Sequence, residues 1–520
     1  MSNVLPISIA EFGRALTACR PPNGWGKALT VAVSGGADSI GLLWLLRSLY
    51  NEAGITEPRI NGITIDHGFR PETAKEAEAV GAFCRDIGVE HQIIKVPWGT
   101  NSYPNHPEPA QYESSGRWAR YWILFHAMQE SGSHALLTGH QANDQLETAI
   151  MRAERESGVL GMLGMRPIRR YGMGGPAPWL NFGEKGLHAF MCRPILTFSK
   201  ERLKATCQAS NIPWTEDPSN LDTNLTVRNR IRATLDQIQS EGDVSPWRER
   251  LKRFDIKEQS IAKLANILDG VPPTATVDEI SQHMVSEYEK FDTAVNAFLS
   301  SITTVEAGAP MLVIDTNKTP PSQDIAYGAV LRILRYVSPK WWGHPSAEAL
   351  RRKDSIQRIV ENLWYREPSP VDGKYRAVPF VAGSHVLWTP SEQQAQTPYV
   401  SWMATRAPPK RDDAPAMFLD LSTAVLEAAE SRKSPEPILW DNRYTVCVPT
   451  AFPRHVLDGV RENQGRVILG PHSKFFLPMI NYESDEKNSV LAALGTDGHI
   501  HSYLRPGGWR FEWIRPFSGH

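Results

Sequence analysis

Six consecutive residues, Ser34, Gly35, Gly36, Ala37, Asp38 and Ser39, combine hydroxyls, a carboxylate and two adjacent glycines. Before them runs the apolar, β-branched "ALTVAV"; after them the apolar residues recur at helical spacing, so "SGGADS" is the turn between a strand and a helix. Glycines permit positive φ and let backbone N–H groups converge on an object close to the main chain. The helix that follows adds unpaired amide donors and the positive end of its dipole. Such a turn suits a phosphate, with Ser34 and Ser39 bonding its oxygens and Asp38 holding Mg²⁺ or orienting a ligand. No lysine follows as a Walker loop requires, and an ordinary tight turn is the alternative.

A second group is His140, Asp144, Glu147 and Thr148, within "TGHQANDQLETAIMRAERESGVLGMLGM". Spacings of three and four place the last three on one face at the start of a helix, near its positive end. Asp144 is equally suited to capping that helix. Basic residues form three further groups: Arg228, Arg230 and Arg232; "RERLKR" from Arg248 to Arg253; and Arg351, Arg352 and Lys353. Trp247, Trp341, Trp342 and Trp364 lie among them, and basic groups beside rings suit unpaired RNA. Solvated charges and buried tryptophans are the alternative.

These residues need a frame. After the first strand and helix, "RINGITIDHGF" reads as a strand ending at Asp66, "PETAKEAEAVGAFCRDIG" as a helix, "VEHQIIKVPW" as a strand and residues 99–110 as a polar loop. "ESSGRWARYWILFHAMQESG" reads as a helix, "HALLTGH" as a fourth strand and "DQLETAIMRAERESG" as another helix. Strands alternating with helices of this length predict an α/β fold with a doubly wound parallel sheet, whose ligands lie at the carboxyl ends of the strands. Ser34, Asp66 and His140 fall at such ends. Residues 171–190 read as an insertion or flap, and "RPILTFSKERLKATCQASNIP" as a short strand and a helix capped at Ser199. The pattern turns helical near residue 234 and strand-like in the last hundred residues. Three domains are therefore expected: 1–235 catalytic, 236–395 mostly helical and connecting or RNA-binding, and 396–520 a small α+β domain.

At 520 residues the chain is too long for a single core. Its longest apolar run, "IGLLWLL", is far short of a membrane span. The N-terminus lacks the features of a secretory signal; its acid-poor start reads as a first helix, "SIAEFGRALTACR", or as a transit segment, so a cytoplasmic or mitochondrial location is expected. Five scattered cysteines without a CxxC pair argue against metal ribbons, clusters and disulfides. A net charge of −1 leaves any polyanion to local patches.

"SGGADS" after an apolar strand resembles the pyrophosphate loop (PP-loop) of the N-type ATP pyrophosphatases, which split ATP between its α and β phosphates, within the adenine nucleotide alpha hydrolase-like fold. Residues 138–165 further resemble the "HHxDDQxET…RGSG…GLxGM" signature of the tRNA(Ile)-lysidine synthase family. "DHGFRPET" (Asp66 to Thr73) is similar to that family's "DHGLRPES", "GRWARYWIL" to "AARxARYxxL", "RPIL" to "RPLL", and "WTEDPSNLDTNLTVRNRIR" to "WxxDPSNxDxxxxRNxxR". The resemblance covers residues 8 to 235. In two departures, Asn143 stands where the family has the first of two aspartates, and Glu156 replaces the first glycine of "RGSG".

The resemblance implies a ligase that adenylates the wobble cytidine of tRNA(Ile) with ATP and Mg²⁺ and then joins free L-lysine to it. ATP would meet Ser34, Gly35, Gly36, Ala37, Asp38, Ser39, Asp66, His67 and His140; Asp38 and Asp144 would hold Mg²⁺; Asp144, Glu147, Arg117 and Arg155 would serve lysine or catalysis, with Arg120 a further phosphate or carboxylate contact. Arg228, Arg230, Arg232, Arg351, Arg352 and Lys353 would meet tRNA. The competing implications are a tRNA 2-thiolation enzyme, which needs reactive cysteines, and a non-catalytic tRNA-binding homologue, to which Asn143 and Glu156 point.

Overall fold

The computed structural model describes the chain apart from residues 1–3, 71, 101–102, 174–181, 216–225, 305–310, 343, 345–352, 369–370, 393, 396–399, 487, 497–498, 503–507 and 518–520. The chain forms two compact units, one of residues 1–171 and 188–293, the other of 172–187 and 294–519.

The first unit follows the alternation of its sequence: α1 (Ile9–Ala18), β1 (Ala28–Ala32), α2 (Ala37–Glu52), β2 (Arg59–Asp66), α3 (Thr73–Asp86), β3 (Glu90–Lys95), α4 (Tyr112–Glu130), β4 (Ala135–Leu137), α5 (Ala142–Glu154), α6 (Val159–Met162) and β5 (Ile168–Arg170). Past α7 (Gly183–His188), which belongs to the second unit, come β6 (Phe190–Cys192), α8 (Lys200–Ala209) and α9 (Val227–Ser240). The sheet order is β3-β2-β1-β4-β6-β5, parallel except for β5. Alternation along β1 places Leu29 and Val31 in one core with Phe12, Leu42, Leu45, Leu46, Val80 and Leu203, so α1, α2, α3 and α8 share one side of the sheet.

The strand expected in "RPIL" is absent; β6 ends just before it, and Pro194 sits in a turn. Proline has no N–H to donate to a ladder. Arg193 is buried there, its backbone N–H bonded to the Pro167 carbonyl and its guanidinium to the Arg166 carbonyl at 2.7 Å.

Helices α9, α10 (Trp247–Leu251), α11 (Glu258–Ile267) and the first part of α12 (Val277–Ile302) share a core with α5, through Leu146, Ile150, Ile231, Leu251, Leu264 and Met284. Among the described residues the second unit holds two five-stranded antiparallel sheets, a three-stranded one and a two-stranded one, with the helix Gln323–Val337 beside the first and Ser422–Ser431 and Arg454–Arg461 beside the second. No helix among the described residues is long and apolar enough to cross a membrane.

Candidate active site

Helix α2 begins directly behind the glycine turn. Gly36 is its N-cap in extended conformation, and no side chain caps the first turn. Gly35 has φ +84°, and a Cβ there would lie 3.0 Å from Thr215 Oγ1. The Thr215 N–H donates to the Gly35 carbonyl at 3.0 Å, pinning the turn from the far end of the domain. The Ser39 hydroxyl donates to the Gly36 carbonyl at 3.1 Å and accepts the Ser34 N–H at 3.0 Å, leaving the Ser34 side chain exposed. The Gly139 backbone, after β4, packs against Asp38 and Ser39: a Cβ on it would sit 3.1 Å from the Ser39 nitrogen. Thus the loop that carries His140 lies on the first turn of α2.

Asp38 has a buried carboxyl oxygen, Oδ1, with no hydrogen-bond partner. Burial and the neighbouring Asp144 push its carboxyl up to about 7, against Lys200, Arg232 and Lys204. Orphaned buried oxygens are rare because each forfeits its hydration. A divalent cation bound between Asp38 and Asp144 would relieve both effects. Among the described residues no group of three ligating side chains exists, so other ligands would have to complete such a shell.

The remaining expected residues divide by what they touch. The Asp66 carboxylate accepts from the Gly68 N–H at 2.9 Å and the Thr73 hydroxyl at 2.7 Å, shaping the turn into α3. Burial, with Arg120 near, lowers His67 to about 4, which leaves a neutral ring. His140 bonds Thr138 Oγ1 at 2.8 Å and is held well below the usual histidine range by burial and by Arg193, Arg117, Arg228 and Arg120. Arg117 and Arg120 are exposed on α4, and Arg155 is exposed at the end of α5.

Asp144 caps α5, as its alternative reading had it: Gln141 and Asp144 form a reciprocal capping box. It also faces Arg228 at 3.5 Å. Glu147 is 1% exposed and bound by the Arg232 fork, Nε to Oε1 at 2.8 Å and Nη2 to Oε2 at 3.2 Å, with Arg228 at 3.6 Å. Arg230 pairs with Glu154 at 3.2 Å. The three arginines of α9 therefore meet three carboxylates of α5, and an incoming lysine amine would reach Glu147 only by displacing Arg232.

Other basic groups are also engaged. Arg253 pairs with Glu241 at 2.6 Å, Lys252 with Glu249 at 2.8 Å, and Arg248 with Glu258. Arg250 is buried over Trp247 and donates to the Pro273 carbonyl at 2.7 Å. Trp247, Trp342 and Trp364 are core residues. Arg351 and Arg352 lie outside the described residues, as does the Lys353 side chain and the "DPSN" turn.

The two departures from the family pattern have structural places. Asn143 Oδ1 accepts the Lys200 N–H at 3.1 Å, capping α8, whose N-cap Ser199 does not do so through its side chain. Glu156, at φ +54°, follows the C-cap of α5. Its N–H bonds the Ala153 carbonyl at 3.0 Å and that of Ser157 bonds the Arg152 carbonyl at 2.9 Å, the pairing of a Schellman motif in which glycine is favoured. Its carboxylate meets Lys257 at 2.6 Å.

Sequence reasoning missed a group beside His140. Arg169 bonds the Tyr121 hydroxyl, Arg193 lies close enough to influence it, and Arg152 donates to the Gly161 carbonyl at 2.9 Å and to that of Gly164. Burial raises the Tyr121 phenol, but Arg169, Arg117, Arg193 and Arg120 outweigh it and bring it down to about 7. Arg169 on β5, Arg193 after β6 and Arg152 on α5 come from separate elements, and single arginines of this kind carry no periodic signal that could have grouped them.

The PP-loop domain family matches residues 14–238. A tRNA(Ile)-lysidine synthase of Bradyrhizobium sp. is 37% identical over 240 residues, 46% of this chain and 59% of that protein. One from Hyphomonas neptunium is 37% identical over 205 residues, 39% and 50% of the two chains. One from Methylobacterium nodulans is 34% identical over 265 residues, 50% of this chain and 69% of its own. The chain thus spans between half and three-fifths of the first two of these relatives.

Proposed function

The chain belongs to the tRNA(Ile)-lysidine synthase family, and from that premise we propose that it uses ATP to join free L-lysine to the wobble cytidine of an isoleucine tRNA. The base oxygen attacks the α-phosphorus of ATP and pyrophosphate leaves. The side-chain amine of lysine then attacks the activated ring carbon, and AMP departs with the oxygen. The observation that carries this reading is the unpartnered buried oxygen of Asp38 in the uncapped first turn of α2, beside the Gly35–Gly36 turn.

In this reading the Ser34 hydroxyl and the amides of Gly36, Ala37 and Asp38 receive the pyrophosphate, whose developing charge preorganised donors stabilise without reorganisation. Asp38 and Asp144 would hold Mg²⁺, which would supply positive charge to the phosphate oxygens. Asp144, on the rim of the site, is the carboxylate that meets the lysine amine, and the exposed Arg117 suits the lysine carboxylate by bidentate pairing. Glu147 acts by holding Arg228 and Arg232 in place.

Sulfur transfer by the same fold would need a reactive thiolate. All five cysteines are free and buried, and burial pushes Cys19 up to about 12 and Cys84 and Cys207 up to about 11. Asn143 caps a helix, and the Glu156 carboxylate pairs with Lys257, so each departure has a structural role in this chain. The test follows labelled lysine and pyrophosphate together on an unmodified tRNA(Ile) transcript. Lysine incorporation matched to pyrophosphate release is expected; release without incorporation, or neither, overturns the reading.

A further inference from the structure

Beyond β2 and β3 the chain gathers a set of rings, of which the expected ATP site draws only on His67. Phe69 lies parallel to Tyr112, with centroids 4.1 Å apart and planes 2° apart. On its other neighbours the planes are also close to parallel, 13° to His67 at 5.2 Å and 21° to Trp98 at 5.9 Å. On the far side of α4 the ring pairs Tyr121–Tyr171 and Phe125–Tyr171 are tilted, at 57° and 40°, whereas Tyr103–Trp118 beside the column is also close to parallel, at 25°. Ring planes that share one orientation form a column that a further planar group can extend. None of Phe69, Trp98 and Tyr112 is fully buried, and His106, edge-on to all three, is exposed.

The column is built in. Gly116 stands one turn after Tyr112 on α4, and a Cβ there would lie 3.0 Å from Phe69 Cε2, so its bare backbone admits the ring. Arg120 follows one turn later on the same stripe, and Arg117 is adjacent; both are exposed. Two of the rings, His67 and Phe69, follow the carboxyl end of β2, and Trp98 follows that of β3, the side of a parallel sheet where ligands bind. Because β3 is the sheet edge and β2 stands between it and the glycine turn after β1, the column lies to the outside of the phosphate site.

We propose that the Tyr112–Phe69 column is a stacking platform for an unpaired base of the substrate RNA, with Arg120 meeting the adjoining phosphate. The identity of the RNA rests on the function proposed above. A base–aromatic stack tolerates any base, because each has a π face, while the guanidinium group supplies the salt-dependent part of the affinity.

The test compares the wild type with Tyr112→Ala and Tyr112→Phe, using a tRNA(Ile) anticodon stem-loop that carries 2-aminopurine in the loop, and measures ATP binding in parallel. Tyr112 is half-exposed at a helix start, so its removal leaves the core intact. Loss of one stacked base weakens RNA binding roughly fivefold to a hundredfold. Tyr112→Ala should show that loss and relieve the 2-aminopurine quenching, Tyr112→Phe should restore both, and ATP affinity should stay within about twofold. Unchanged RNA affinity in Tyr112→Ala overturns the platform alone. A parallel fall in ATP affinity assigns the rings to the adenine and overturns it as well. A wild type that binds no tRNA(Ile) overturns the proposed function and, with it, the RNA platform.

Discussion

Replacing Glu147 by Gln separates two roles for this carboxylate. The substitution keeps the shape and one acceptor oxygen, but turns the other oxygen, 3.2 Å from Arg232 Nη2, into an NH₂ donor facing a donor. One charge-assisted hydrogen bond is lost, worth about 1.5 to 3 kcal/mol. The side chains of Arg232 and Arg228 are 28% and 26% exposed and can turn partly to water, so a loss near the lower limit, about 2 kcal/mol, is expected. That corresponds to roughly 4 to 8 °C in melting temperature for a unit of this size. Because Arg228 also faces Asp144 at 3.5 Å, its release disturbs the rim of the site, and pyrophosphate release and lysine incorporation should fall together. Calorimetry and the two-label assay on the same preparation read both effects. A double-mutant cycle with Arg232→Gln should return a coupling of about 1 kcal/mol or more. If the melting temperature is unchanged and only the apparent KM for lysine rises, tenfold or beyond, Glu147 receives the amine and the anchoring account is wrong.

Asp38→Asn should lower tRNA-dependent pyrophosphate release by about 10² or more, as removal of one preorganised charge-stabilising group does, and wild-type turnover would show the turn to be merely structural. Gly35→Ala places a Cβ 3.0 Å from Thr215 Oγ1 at φ +84°, so about 1 to 2 kcal/mol of stability should be lost in urea unfolding; an unaltered midpoint contradicts the strained turn. Glu156→Gly should stabilise by about 1 kcal/mol, since relief of φ +54° exceeds the loss of a surface pair with Lys257, and a lowered midpoint would mean the pair dominates. With Tyr121 lowered to about 7, the folded phenol ionises before the unfolded one, so its contribution to stability is present above about 10 and is lost as pH falls through about 7. Absorbance of tyrosinate near 295 nm should rise around pH 7 in the wild type and not in Tyr121→Phe; a first rise only near 10 refutes the arginine field.

Much of the site was legible because its signals are local. An apolar run, two glycines and a helical run specify a phosphate turn within about 20 residues, and the alternation of strands and helices already put Ser34, Asp66 and His140 at the carboxyl edge. The capping of α1 by Ser8 and Glu11 is likewise written in four residues. Side chain periodicity reports burial, and burial suffices to define such elements.

What tertiary structure alone decided is which partner each polar group finds. Nothing in the spacing of Arg228, Arg230 and Arg232 tells that they face α5; the pairing of Glu147 with Arg232 spans 85 residues and depends on how α9 docks over the Leu146–Ile231 core. The same packing made Asn143, a departure from the family's aspartate, the cap of α8, 57 residues away, and left Asp38 Oδ1 without a hydrogen-bond partner. Pro194 displaced the expected strand onto Phe190–Cys192 because a missing N–H outweighs an apolar run. The φ of Glu156 and the parallel rings of Phe69 and Tyr112 are likewise set by neighbours in space. A charge or a ring has many partners of equal local merit, and only the packed backbone brings one of them within reach.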